Sequence, residues 1–179
     1  MSCPICGSSK SKQLLRLNCG NFDQSILYRF VRIGVCLQCG HIYNQLSVQE
    51  MVDLIKYYET EYAQINIKSG DKSGDRPGSN SPNALNRYAR LYDLINSYAN
   101  KTDGVLDVGC AAGGFLDFLQ KRGFKRRYGI DIIKTYVRQA QSKKAHYIKY
   151  GRVESLPFAD NSMELLVMDQ VLEHVVNLT

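Results

Sequence analysis

The sequence predicts an α/β fold: a parallel sheet with helices on its faces, preceded by a small metal-binding module. Three observations carry this. From residue 104 onward, short apolar runs alternate with amphipathic helix patterns. The first of those runs, "GVLDVGCAAGGFLDFL" at 104–119, passes through a glycine-rich turn into a helix pattern. Far upstream stand two C-x-x-C pairs, Cys3 with Cys6 and Cys36 with Cys39.

The chain has 179 residues, room for one sizeable domain and an appendage, and its 44% apolar and 22% charged content is ordinary for a globular protein. No apolar run approaches the ~20 residues that span a bilayer. The start, "MSCPICGSSK", lacks the apolar segment of a signal peptide. The expected compartment is therefore cytoplasmic, where thiols stay reduced, and the paired cysteines read as metal ligands rather than disulfides. The net charge of +6 is local in origin. Between Lys121 and Arg152 there are eleven basic residues against one acid, Asp131. A solvated face explains this most simply. An anion-attracting surface is the sharper alternative, weakened by the few aromatics interleaved with the charges.

In chain order, residues 1–46 hold the cysteine pairs and β-like runs such as "SILYRFVRIGVC". A connecting helix is expected over 47–65. Ser47 and Glu50 have capping-box spacing, and Met51, Leu54, Ile55 and Tyr58 follow at helical intervals. Residues 66–82, "NIKSGDKSGDRPGSNSP", have almost nothing to bury and read as a flexible linker. Ser81 offers an N-cap and Pro82 a first helical position. The helix that follows carries Leu85, Tyr88, Ala89, Tyr92, Ile95 and Tyr98 on one stripe. Over 83–179 the predicted order is that helix, strand 104–108, helix 113–122, strand 127–131, helix 134–143, strand 146–150, strand 164–168 and a helix from 170 onward. Four strands with one raw edge make an incomplete sheet.

"CPIC" and "CLQC" lie twenty-nine residues apart, and each is followed by a glycine, Gly7 and Gly40. The glycine lets the backbone turn so that amide N–H groups point at the thiolates. Two such turns resemble a zinc-knuckle pair, setting four sulfurs around one tetrahedral Zn²⁺ with Zn–S near ~2.3 Å. Cys19 and His41 are spare candidates. Cys3, Cys6, Cys36 and Cys39 are preferred because both pairs then have matched geometry. Four thiolates leave no open position for substrate, so the expected role is structural: metal binding supplies folding free energy to a segment with little core.

The glycine turn raises a question of ligand. Gly109 and Gly113 permit close backbone approach, as for a phosphate at a helix N-terminus. Asp107 at the mouth of the turn argues against a polyanion, and Ala111 stands where a dinucleotide site wants glycine. A cationic ligand without phosphate inverts the argument, since a carboxylate welcomes it.

"VLDVGCAAGGFL" resembles the first motif of class I S-adenosylmethionine-dependent methyltransferases, "YGIDI" their second, and "GRVESLPFADNSMELLVMDQVLEHV" their third and fourth. Singly these are weak; in this order across 104–175 they are specific. The resemblance implies a Rossmann-like methyltransferase domain, incomplete at its C-terminus, behind a zinc-ribbon-like module. It further implies S-adenosylmethionine as cofactor, held by Asp107, Gly109, Cys110, Ala111, Gly113, Asp131, Ile132, Val153, Glu154, Asp169 and Gln170. Asp131 would accept the ribose hydroxyls, while Asp169 and Gln170 would lie beside the methionine end. One departure matters: Arg152 stands where the family often has an acid that accepts from the adenine amino group, which arginine cannot do. The Val153 backbone or Glu154 would then read the base. Read in isolation, Asp131 could equally be a strand-end helix cap, and Glu173-His174 a surface pair.

The family's sheet usually has seven strands, so the sequence reads as truncated, and weak cofactor binding is expected. Methyl transfer is an in-line displacement needing alignment above all. His174 is the candidate base where the nucleophile must lose a proton. The order zinc module, helix with "YYETEY", linker and methyltransferase domain is similar to bacterial small-molecule and sugar methyltransferases. The expected acceptor is a small molecule or glycan precursor. Two alternatives stand beside it: a ribosomal RNA methyltransferase, and a non-catalytic module binding RNA or a protein.

Overall fold

A computed structural model describes residues 2–20, 27, 29–62, 64, 76–142 and 147–175. The chain divides into two compact units, one within Met1–Tyr62 and a larger one, Ala63–His174. Residues 66–75, the greater part of the predicted linker, lie outside the described residues, as do Ile65 at the end of the predicted connecting helix and Lys143 and Lys144.

The N-terminal unit is a three-stranded antiparallel sheet in the order β1-β2-β3: β1 (Ser11–Asn18), β2 (Phe30–Cys36) and β3 (Ile42–Asn44). A bulge between Gln13 and Leu15 interrupts the β1–β2 register. Cys3, Cys36 and Tyr43 are buried together as its small core. Helix α1 (Val48–Thr60) begins where the capping box predicts. The Ser47 Oγ accepts from the Glu50 N–H at 3.2 Å, and Glu50 accepts from the Ser47 N–H at 2.7 Å. Glu50 also pairs with Arg32 of β2, tying the helix start to the sheet. The four predicted apolar positions of α1 are half-buried; the buried one is Tyr57, which the stripe did not include.

The larger unit opens with α2 (Pro82–Ile95), capped by Ser81 with Pro82 in the first turn. Tyr88 and Ile95 are buried as the stripe predicts, with Ala84 beside them. Tyr98 is a correction: the helix ends at Ile95 with Asn96 as C-cap, and Tyr98 is 84% exposed. Tyr88 and Tyr92 pack against Phe115 and Phe118 of α3 (Gly114–Lys121). That aromatic layer joins Val105, Leu119 and Phe124 in the main core.

The sheet is parallel, in the order β6-β5-β4-β7. Its strands are β4 (Gly104–Val108), β5 (Arg126–Asp131), β6 (Tyr147–Tyr150) and β7 (Leu165–Val167). Helix α4 (Lys134–Ser142) links β5 to β6. Each strand agrees with its predicted position to within a residue at either end. All five residues of β4 are buried, as a central strand covered on both faces requires. The chain steps from β4 outward through β5 to β6, then returns to add β7 on the other side of β4. The strand order therefore reverses at β4, and a ligand crevice belongs outside the carboxyl ends there. The helix expected from 170 onward is, among the described residues, a single 3₁₀ turn, Leu172–His174.

Candidate functional site

The four preferred cysteines converge. Their sulfurs all lie within 4.8 Å of one another. Cys3 and Cys39 sulfurs are 3.7 Å apart, and those of Cys6 and Cys36 3.6 Å. A tetrahedral Zn²⁺ with Zn–S of ~2.3 Å needs sulfurs about 3.8 Å apart, so the set fits that ion. Gly7 and Gly40 adopt φ of 70° and 77°, and their N–H groups donate to Cys3 and Cys36 carbonyls at 2.9 and 3.0 Å, closing both knuckles. The Gln38 N–H points at the Cys36 sulfur at 3.4 Å. The Cys36 thiol is drawn down to about 6, led by the Cys39 N–H, while Cys6 is pushed up to about 12: the Ser8 N–H pulls it down, but burial and three neighbouring sulfurs outweigh that. Such a spread is what protons crowded among four thiols produce. Neither spare candidate joins the cluster: His41 stacks on Tyr43 and Cys19 is exposed.

The second site is built on the turn after β4. Gly109, at φ 75°, begins it, and a Cβ there would collide with the Val171 side chain. Its N–H and that of Cys110 both donate to the Ile130 carbonyl, at 2.8 and 3.1 Å, which locks the turn onto β5. Ala111 takes φ 45°, uncommon for a residue with a Cβ, and Gly113 at φ 79° caps α3. The Cys110 thiol faces inward among Leu116, Val137, Ala140 and Ile148, and burial, followed by the charges of Asp107 and Asp131, raises its pKa well above the ordinary thiol range.

Asp107 and Asp131 are the two buried charged residues among those described. Asp131 ends β5, and Asp107 is the penultimate residue of the adjacent β4. Burial pushes the Asp107 carboxyl far above the ordinary carboxylate range, and repulsion from Asp131 and then Asp169 adds to it. Asp131 is raised to about 6 by burial, against the pull of two backbone donors. Those donors are the Ile133 N–H at 2.7 Å and the Ala111 N–H at 2.8 Å. Asp131 thus closes a short turn ahead of α4 rather than capping the helix, and the same carboxylate holds the left-handed Ala111 in place. A carboxylate has about four lone-pair sites, so two remain for a ligand.

Asp169 follows β7 and pairs with Arg87 of α2, Nε to Oδ2 at 3.1 Å. Gln170 beside it adopts φ 56°. Backbone strain at Ala111 and Gln170, on both sides of the crevice, is typical of ligand-clamping segments. Val153 packs against the cluster of Leu106, Val108 and Ile130. Glu154 is exposed and lies 3.6 Å from Arg152. Ile132 is half-buried between Asp131 and the start of α4, and His174 ends the 3₁₀ turn, exposed. The structure therefore brings Asp107, Asp131, Asp169, Cys110 and the glycine turn together.

Two features carried no signal in the sequence. The last residues of the predicted linker form a turn on the glycine loop. Ser79 N–H donates to the Arg76 carbonyl, Tyr88 Oη donates to the Ser79 carbonyl at 3.0 Å, and a Cβ at Gly114 would sit 2.5 Å from the Gly78 oxygen. Arg76, Asn80, Ala112, Tyr136 and Gln139 line a cavity of about 270 Å³ beside this turn. Arg87 is the other feature, a helix-surface residue whose partner lies more than eighty positions away. Several charges of the basic stretch are engaged locally: Arg126 pairs with Glu164, Arg122 lies over Tyr92 and Phe118, and Lys149 donates to the Pro157 carbonyl.

Residues 106–179 match the family described as "Methyltransferase domain". No curated protein matches the chain. Solved structures similar to it include a protein of Pyrococcus horikoshii OT3 (29% identity over 49% of this chain and 43% of that one, TM-score 0.43). A SAM-dependent methyltransferase of Methanosarcina mazei is 29% identical over 44% of this chain and 42% of that one, with a TM-score of 0.40. Another, from Aquifex aeolicus, is 22% identical over 46% and 55%, with a TM-score of 0.38. The chain spans under half the length of the first two. No helix among the described residues is long and apolar enough to cross a membrane.

Proposed function

We propose that residues 83–179 bind S-adenosylmethionine and serve methyl transfer to a small molecule or a sugar or glycan precursor, and that residues 1–46 form a module stabilised by zinc on Cys3, Cys6, Cys36 and Cys39. Helix α1 and the segment after it connect the two. The observation that carries the cofactor reading is the pair of buried carboxylates, Asp107 and Asp131, set against a glycine turn at the point where the strand order reverses. Burial holds both above the ordinary carboxylate range. A phosphate would worsen that repulsion; an ammonium and a sulfonium would relieve it.

S-adenosylmethionine supplies a methyl group already activated by its positively charged sulfur. The chain's own residues have simpler tasks. Asp107 anchors the ammonium. Asp131 accepts the ribose hydroxyls on the lone pairs its backbone donors leave. Gly109 and Gly113 let the main chain approach, and Val153 and Glu154 line the base. Asp169 and Gln170 border the methyl-transfer side, where His174 is the candidate proton acceptor. Alignment of nucleophile and methyl, with water excluded, is the protein's main contribution.

The test is thermal unfolding with S-adenosylhomocysteine and with NAD. The first should raise the melting temperature, since a ligand at one hundred times its Kd stabilises by about 2.7 kcal/mol. NAD should leave it unchanged. Stabilisation by NAD and not by the homocysteine ligand would overturn the reading.

A further inference from the structure

Strand pairing sorts the N-terminal sheet into two unlike faces. Directly paired residues share a face, and faces alternate along each strand. Arg16 pairs with Arg32, and Gly34 with Tyr43, on one face. That face is occupied: Arg16 lies over Phe30, Arg32 holds Glu50 of α1, and Tyr43 packs with Cys3 and Cys36. On the other face the pairs are Leu17 with Val31, Leu15 with Ile33, and Ile42 with Val35. All of these side chains are aliphatic. Leu15, Leu17 and Ile42 are 43%, 51% and 59% exposed, and Val31, Ile33 and Val35 are half-buried. Lys12, opposite Val35, is the one charge among these pairs, at a corner of the face.

We infer that two copies of the chain meet through this face, the two sheets packing as the layers of a sandwich. The inference does not depend on the cofactor reading. At these exposures the face offers about 400–500 Å² per copy, so a pair removes about 800–1,000 Å² from water. That is the lower bound for a specific contact, and it sets a reversible dimer rather than an obligate one. A second copy suits the surface because aliphatic side chains interdigitate with their own kind at the ~10 Å spacing of stacked sheets and need no opposite charge. A two-fold axis through Ile33 lays the Leu17 end of one copy over the Ile42 end of the other. The two Lys12 side chains then stand at opposite corners and do not repel. The gain is also one of stability. The unit's own core is Cys3, Cys36 and Tyr43, and pairing gives the sheet a second core on its open side.

The test is sedimentation equilibrium of the full chain, with zinc supplied, from about one to a few hundred micromolar. The wild-type chain should dimerise reversibly with a Kd of roughly 1–100 μM. Leu17→Glu should be monomeric throughout, since pairing would bury a carboxylate without a partner. Bound zinc equal to that of the wild type shows that this variant keeps its fold. Ile42→Thr preserves a β-branched side chain at an exposed strand position and should weaken the dimer by about tenfold or more, because each loss counts twice across a two-fold axis. Arg16→Gln, on the opposite face, should leave Kd within about twofold. A wild-type chain that is monomeric over the whole range would overturn the inference. So would a dimer that Ile42→Thr leaves as tight as before, whatever Leu17→Glu does to folding.

Discussion

Replacing Asp131 by Ala separates two roles that the structure assigns to one side chain. The substitution leaves the Ala111 and Ile133 N–H groups without their acceptor. Each orphaned buried donor costs about 1–3 kcal/mol, so the pair costs about 2–6. It also removes a buried charge. Asp131 is raised from 3.8 to about 6, which is an ionisation penalty of about 3 kcal/mol once the pH exceeds both values. The sign follows from linkage. The folded protein keeps this proton after the unfolded chain has lost it, so the penalty is absent below pH 3.8 and grows until about pH 6. The stability gap between wild type and Asp131→Ala should therefore be widest near pH 4 and shrink by about 3 kcal/mol by pH 7. Urea denaturation at stepped pH reads this directly. Affinity of the wild type for S-adenosylhomocysteine should rise through pH about 6, because the ribose hydroxyls donate best to the ionised carboxylate. A gap that stays flat or widens as the pH rises would refute the burial argument on which the whole site rests.

The zinc module makes a second prediction. The purified chain should carry one equivalent of zinc, and a strong chelator, or Cys36→Ser, should melt the N-terminal sheet while the parallel sheet persists; unchanged circular dichroism after metal removal would count against a folding role. Gly109→Ala should be damaging, because φ is 75° and the new Cβ meets Val171. A loss of about 1–3 kcal/mol and at least a tenfold loss of cofactor affinity are expected, measured by denaturation and calorimetry. A neutral outcome would mean that the turn relaxes freely.

Some of this molecule is written locally. Ser47 with Glu50, and Ser81 with Pro82, start their helices at the expected residues because capping involves neighbours three or four positions apart. The strands from 104 onward follow from apolar runs bounded by turn residues, and the two knuckles follow from C-x-x-C-G, whose geometry is set within five residues. Where one element ends is less local: Tyr98 continues the stripe of α2 in sequence but falls beyond its C-cap into solvent.

The sequence by itself determined the order of the strands, the four cysteines that cluster and the two carboxylates near the strand ends, since each depends on residue type at short spacing. Tertiary structure alone decided what stands around them. It placed the turn after Arg76 against the glycine loop, put Asp131 to work holding Ala111, and carried Arg87 to Asp169 across more than eighty residues. Such meetings are fixed by how helices pack on a sheet, and no period or spacing along one chain encodes them.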